Sequence, residues 1–255
     1  MIDTGRGLPI VMIPGIQGRW QWMKPAIDAL SQTHRVLTFS LSDAGPSNDW
    51  FDAWSAHIDR LLDDAGLPSA ALVGVSFGGL VAARYASSHP ARVRALVLVS
   101  TPAPNWRIDA QRAVYLEKPV LSAPAFAIGA VRRLLPEVLA AQPTAGGRIR
   151  CLGGHLWRVL RYPASPTLMA AWVHTWQAHT TDAVWSEIRV PTLVVTGEAD
   201  LDHVVPTSST AGYLDLIPGA RRAVLSRTGH IGLVSRPKEF AAVVNAFVDD
   251  PLLTL

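Results

Sequence analysis

Short, unbroken apolar runs set the rhythm of the chain. Pro9-Ile10-Val11-Met12-Ile13-Pro14 is apolar throughout and stops at Pro14-Gly15, as expected of a strand covered on both faces in a parallel sheet. A helical stretch from Trp22 to Ser31 separates it from a second run, Val36 to Leu41, and together they read as a βαβ unit. The alternation goes on with a helix from about Phe51 to Asp64, a strand over Ala71 to Val75, a helix from Gly78 to Ser88 and a strand over Ala95 to Val99. After Thr101 it stops. Pro102, Pro119, Pro124, Pro136, Pro143 and Pro163 divide the next stretch into short helical pieces. Strand patterns return at Thr192 to Thr196 and Ala223 to Leu225, and a last helix runs from Pro237 to Val248. The expectation is an α/β protein with a doubly wound, mostly parallel sheet of about six strands. Residues 1–101 and 187–255 would form its core, and residues 102–186 an inserted helical lid.

Composition narrows the setting. Of the 255 residues 49% are apolar and 17% charged, enough to fill one large core and too little charge for a long disordered segment. No apolar run approaches the ~20 residues of a membrane span, and the first residues lack an apolar leader, so a cytoplasmic location is the expectation. A single cysteine, Cys151, rules out an internal disulfide and a multi-cysteine metal site. The net charge of +3 is unevenly spread: residues 102–186 hold nine Lys or Arg against four acids, a net of +5. No nucleic-acid motif accompanies that excess, so solvated helix faces are the plain reading and an anionic substrate the alternative.

The chemistry begins at Gly74-Val75-Ser76-Phe77-Gly78-Gly79, which joins the end of a buried strand directly to the start of a helix. That setting gives the G-x-S-x-G pattern its meaning: a tight reversal, possible only with glycines on either side, holds Ser76 at its tip as a candidate nucleophile. A serine hydroxyl attacks well only when a base takes its proton, and a helix N-terminus favours negative charge nearby.

The order of sheet elements, this turn and the helical insert together resemble the α/β-hydrolase family over nearly the whole chain. Members begin with an antiparallel pair of strands, and only eight residues precede Pro9 here, so a trimmed sheet is expected. The resemblance implies a catalytic histidine late in the chain, and His230, in Thr228-Gly229-His230 just past the last strand, matches it. It also implies an acid in the loop after Val194-Val195-Thr196-Gly197, to fix the imidazole's tautomer. Counting forward from Gly197 selects Asp200. Counting back from Asp202-His203-Val204-Val205-Pro206, and the spacing of 28 residues to His230, select Asp202, which is preferred; Glu198 is a third option. The oxyanion hole is expected from the backbone N–H groups of Phe77 and of Ile16, in the turn after the first strand, with Gln17 as a neighbour able to add a side-chain contact. Pro14 stands where the family has a histidine, which removes a brace from that turn. Among nine tryptophans, Trp20, Trp22, Trp106, Trp157, Trp172 and Trp176 fall near the oxyanion turn or in the lid, where packing onto the core is the first expectation and a substrate wall the second.

The expected activity is that of a carboxylesterase-like serine hydrolase using Ser76, His230 and Asp202 on a small, apolar acyl substrate, with no cofactor and no metal. The same triad also serves C–C bond hydrolases, lactonases and cofactor-free peroxidases. A serine nucleophile argues against epoxide hydrolases and dehalogenases of this fold, which use aspartate. A ligand-binding protein without turnover is the alternative from another class. A metal hydrolase on Asp200, Asp202 and His203 lacks convergent ligands from elsewhere in the chain.

Overall fold

The structure, a computed structural model, describes residues 1–104, 110–178 and 183–250. Seven strands, β1 (Ile2–Thr4), β2 (Pro9–Ile13), β3 (Arg35–Thr38), β4 (Ala70–Val75), β5 (Val93–Val99), β6 (Thr192–Thr196) and β7 (Arg221–Val224), form one sheet in the order β1-β3-β2-β4-β5-β6-β7. All neighbouring pairs are parallel except β1 with β3. The sheet is therefore larger than expected by β1. Three half-exposed residues at an edge carry no apolar run to announce a strand, and what secures them is an ion pair: Arg35 donates from Nε and Nη2 to the two carboxylate oxygens of Asp3, at 3.0 and 2.7 Å.

The central strands are buried along their whole length because helices cover both faces. α1 (Lys24–Leu30) and α11 (Pro237–Val248) pack on one face, against Ile10, Met12, Val73 and Val97. α2 (Trp50–Asp64) and α3 (Phe77–Ser88) pack on the other, against Val11, Ile13, Leu72 and Leu96. Alternate residues of β2 thus point into two separate cores, which is why its sequence is apolar without alternation. α2 starts where Asp49 caps it, Oδ1 accepting from the N–H groups of Phe51 and Asp52.

Among the described residues four α-helices stand between β5 and β6: α4 (Ala110–Glu117), α5 (Pro119–Ala141), α6 (Ala145–Arg161) and α7 (Pro166–Ala178). The prolines do not cut this stretch into short pieces as their spacing suggests. α5 runs for 23 residues straight through Pro124 and Pro136. An interior proline removes one hydrogen bond of the ladder but leaves the turns on either side intact, and α5 is held along its length by α4, α6 and α7. Beyond β6 come α8 (Thr207–Ala211) and α9 (Tyr213–Leu216), and between β7 and α11 the single turn α10 (Gly232–Ser235).

Candidate active site

The loops that follow β2, β4, β6 and β7 converge at one edge of the sheet, outside the carboxyl ends of its strands, where open α/β sheets bind their ligands. Ser76 is the one residue between β4 and α3, with φ 52° and ψ −121°. A side chain in that region costs of order 1–3 kcal/mol and persists only where its surroundings impose it. Here they do: the Ser76 N–H donates to Val99 O at 2.7 Å, while a Cβ on Gly74 would lie 2.5 Å from Gly78 O and one on Gly78 would lie 2.4 Å from Ile13 O. The turn can close only with hydrogen at both positions.

His230 lies in the loop between β7 and α10, and its Nε2 is 3.1 Å from Ser76 Oγ. Its Nδ1 is 3.3 Å from Asp202 Oδ2, and Asp202 Oδ1 accepts from the N–H groups of Val204 and Val205, each at 3.0 Å. The Asp202 side chain is buried, and burial alone would push its carboxyl up; attraction to His230, with hydrogen bonds from His230, Val205 and Val204, outweighs this and holds it below the ordinary carboxylate range. Asp202 is thus an anion fixed on three sides. Gly229 makes the approach of the two loops possible, since a Cβ there would lie 2.2 Å from Leu201 O.

The two other acids of the β6 loop stand apart from this line. Asp200 is exposed at a turn in which Leu201 and Asp202 donate to Glu198 O, so the residues beyond Gly197 are taken up in one extra turn before Asp202. Glu198 accepts from the Arg227 N–H at 2.9 Å and supports the loop that leads to His230. His203 is exposed, and among the described residues no group of three His, Cys, Asp or Glu is arranged to hold a metal.

Ile16, Gln17, Phe77 and Val205 line a cavity of about 200 Å³ together with Ser76 and His230. The N–H groups of Ile16 and Phe77 form no hydrogen bond with any described residue. The turn after β2, without the histidine brace, is secured instead by a Leu41 N–H to Gly18 O bond of 2.9 Å and by Trp172, whose ring lies against Gly18. The far walls come from α4, α5 and α7 and are mostly apolar, through Leu116, Phe126, Met169 and Val173 among others, with Arg133 of α5 as their charged member.

The profile of a family described as the alpha/beta hydrolase fold matches residues 9–119, which hold the turn after β2 and the Ser76 turn. An esterase from Exiguobacterium antarcticum superposes with a TM-score of 0.79 over 98% of this chain and 94% of its own, at 19% identity. The chain has the α/β-hydrolase fold. A 2-hydroxymuconate semialdehyde hydrolase from Pseudomonas sp. strain CF600 is 27% identical over 96% of this chain and 88% of its own length. The polyketide synthase ThaQ of Burkholderia thailandensis is 30% identical over 99% of this chain, which spans only 12% of that synthase.

One residue of this α/β-hydrolase-fold chain reaches the site from a place the sequence does not mark. Glu137, fully buried on α5, accepts the Ile231 N–H on both carboxylate oxygens, at 3.1 and 3.0 Å, and Ser235 Oγ donates to its Oε1 at 3.3 Å. Burial raises its carboxyl above the ordinary range, against hydrogen bonds from the backbone of Ile231 and Gly229 and the attraction of His230. Gln142, at the end of α5, donates from Nε2 to Ser235 O. The helical segment is therefore tied to both sides of the His230 loop. The available signal was that Glu137 is the only acid between Pro119 and Arg161.

The tryptophans divide by role. Trp172 is buried against Trp50 and Trp54, and Trp176 against Phe77, where Trp176 also forms part of the cavity wall. Trp20 packs beneath the sheet, and Trp22 donates from Nε1 to Tyr162 O at 3.0 Å. Trp157 is exposed, away from the cavity, and Trp106 lies outside the described residues.

Proposed function

We propose that this chain is a serine hydrolase that cleaves a carboxylic ester or a related acyl compound through an acyl-enzyme on Ser76. The observation that carries this reading is the unbroken line from Ser76 Oγ through the His230 imidazole to the Asp202 carboxylate, at 3.1 and 3.3 Å. His230 Nε2 takes the Ser76 proton as Oγ bonds to the acyl carbon, and the carbonyl π electrons move onto oxygen. The free N–H groups of Ile16 and Phe77 receive that oxyanion. As the tetrahedral centre collapses, the bond to the leaving group breaks and His230 returns the proton to it. Water then enters, gives a proton to His230 and attacks the acyl carbon; as this second tetrahedral centre collapses, the bond to Oγ breaks, His230 returns the proton to Ser76 and the acid leaves. Asp202 keeps Nδ1 protonated and stabilises the imidazolium at both steps. Residues 102–186 serve as a cap whose inner faces hold the apolar acyl group.

Relatives named as a 2-hydroxymuconate semialdehyde hydrolase, a poly(3-hydroxyalkanoate) depolymerase and a carbamate hydrolase support hydrolysis more broadly than they support one substrate. The test is therefore in two stages. A fluorophosphonate probe should label the protein and fail to label Ser76→Ala, and a panel of short-chain nitrophenyl esters, thioesters and lactones should show turnover by the parent only. Absence of labelling by an intact, folded protein would overturn the serine mechanism. Labelling without turnover of any panel member would overturn the ester and acyl-substrate assignment and direct the search to C–C bond substrates.

A further inference from the structure

Two helices of the segment between β5 and β6 carry their apolar stripes on the solvent side. On α6, Ile149, Leu152, Leu156, Trp157 and Leu160 recur at helical spacing and are all exposed, while Arg148, Cys151, His155 and Arg158 on the opposite side are turned toward the body. His155 meets Trp22 edge to face at 5.6 Å, and Arg148 donates to the carbonyls of Gln142 and Leu139. α5 repeats the arrangement: Leu121, Ile128, Val131, Leu135 and Leu139 face outward, while Ala123 and Phe126 line the cavity. Relative exposure across the two stripes ranges from 38% to 77%. A helix on a water-facing surface has the reverse polarity, and an apolar patch spanning two helices marks a surface that meets something other than water.

Charge decides what that is. From Pro119 to Arg161 the chain has six arginines and one acid, and the acid, Glu137, is buried. Arg132, Arg150 and Arg161 are exposed and directly follow Val131, Ile149 and Leu160 of the stripes. A second copy using the same face would set arginine against arginine, with no exposed carboxylate on either helix to separate them. A phospholipid surface with anionic headgroups offers both partners that the face lacks: phosphate for the guanidinium groups, and hydrocarbon for the leucines and Trp157. We propose that α5 and α6 dock this chain on an anionic membrane surface, lying in the headgroup plane with their stripes turned down. The docked chain would hold its cavity one helix away from the acyl region, because the inner side of α5 is a cavity wall.

This inference concerns binding and is independent of the catalytic reading, so its test uses no turnover. Vesicle flotation is measured with phosphatidylcholine alone and with about 30% phosphatidylglycerol added, at low and high salt. The parent should float with the anionic vesicles and remain behind with the neutral ones, and salt should weaken the association. Leu156→Gln/Leu160→Gln and, separately, Arg150→Gln/Arg161→Gln should each lower the bound fraction about tenfold or more, with melting temperatures near the parent's. Leu121→Gln/Ile128→Gln on α5 replaces the first pair if that variant does not fold. Failure of the parent to float with anionic vesicles overturns the proposal. So does flotation that these variants leave unchanged. A lipid-free dimer in sedimentation equilibrium that Leu156→Gln/Leu160→Gln dissociates would assign the face to a second copy and overturn it as well.

Discussion

Asp202 and Asp200 stand two residues apart in one exposed loop, yet only Asp202 is buried, bonded by two backbone N–H groups and aimed at Nδ1 of His230. Asp202→Asn should therefore lower kcat by about three to four orders of magnitude, because an amide no longer selects the tautomer that accepts the Ser76 proton. Asp200→Asn should change kcat by less than about twofold, as expected for an exposed loop residue. The reverse pattern in steady-state kinetics would reassign the acid. Glu137 makes a different prediction. Its carboxyl is raised above the ordinary range, so its charged form costs stability that is absent at low pH and grows as pH rises through that range toward the raised value. Glu137→Gln removes that dependence. The difference in unfolding free energy between variant and parent should then move in the variant's favour as pH rises above about 4, while kcat falls by up to about tenfold because the amide keeps one acceptor oxygen for the Ile231 N–H where the carboxylate offers two. A pH-independent difference in denaturant titrations would show that the Glu137 carboxyl has the same pKa folded and unfolded. That Ser76, His230 and Asp202 come together was legible because each stands in a local pattern of glycines, strand ends and spacing. Glu137 was not, because its meaning depends on partners 94 and 98 residues away.

At the scale of elements, periodicity found the six parallel strands and α1, α2, α3 and α11, since each buries a face and so must be patterned, but not the short α8, α9 and α10. It missed β1, which is held by the Asp3 to Arg35 ion pair instead of by burial, and it gave too much weight to the prolines inside α5. The same limit applied to the turn after β2. Its loss of the histidine brace was legible, but the replacement came from α7, whose Trp172 fills the space above Gly18 and packs on Trp54 at a centroid distance of 5.9 Å. Trp172→Ala should accordingly cost about 3–5 kcal/mol in denaturant unfolding, the range for emptying a buried tryptophan site. It should also slow acylation more than Trp157→Ala does, since Trp157 is exposed and away from the cavity. Equal effects of the two substitutions on acylation would separate Trp172 from the oxyanion turn.

Across the whole molecule, residues 154 positions apart in sequence meet at hydrogen-bond distance because parallel strands deliver every loop of one kind to the same edge. The helical segment is joined to that edge unequally. The end of α5 near Glu137 and Gln142 is fastened to the His230 loop and α10, whereas its beginning, from Pro119 to Phe126, meets the cavity with apolar contacts alone. In mechanical terms α5 has the form of a lever with its fulcrum at the His230 loop. Opening at the Pro119 end, which is held by apolar packing on its neighbours, would widen the cavity and leave the fulcrum, and with it the line from Asp202 to Ser76, undisturbed. Amide hydrogen exchange should register this as faster opening over residues 114–126 than over 137–141, and uniform exchange along α5 would remove the lever. A chain built this way would open its cavity without moving Ser76, His230 or Asp202 apart.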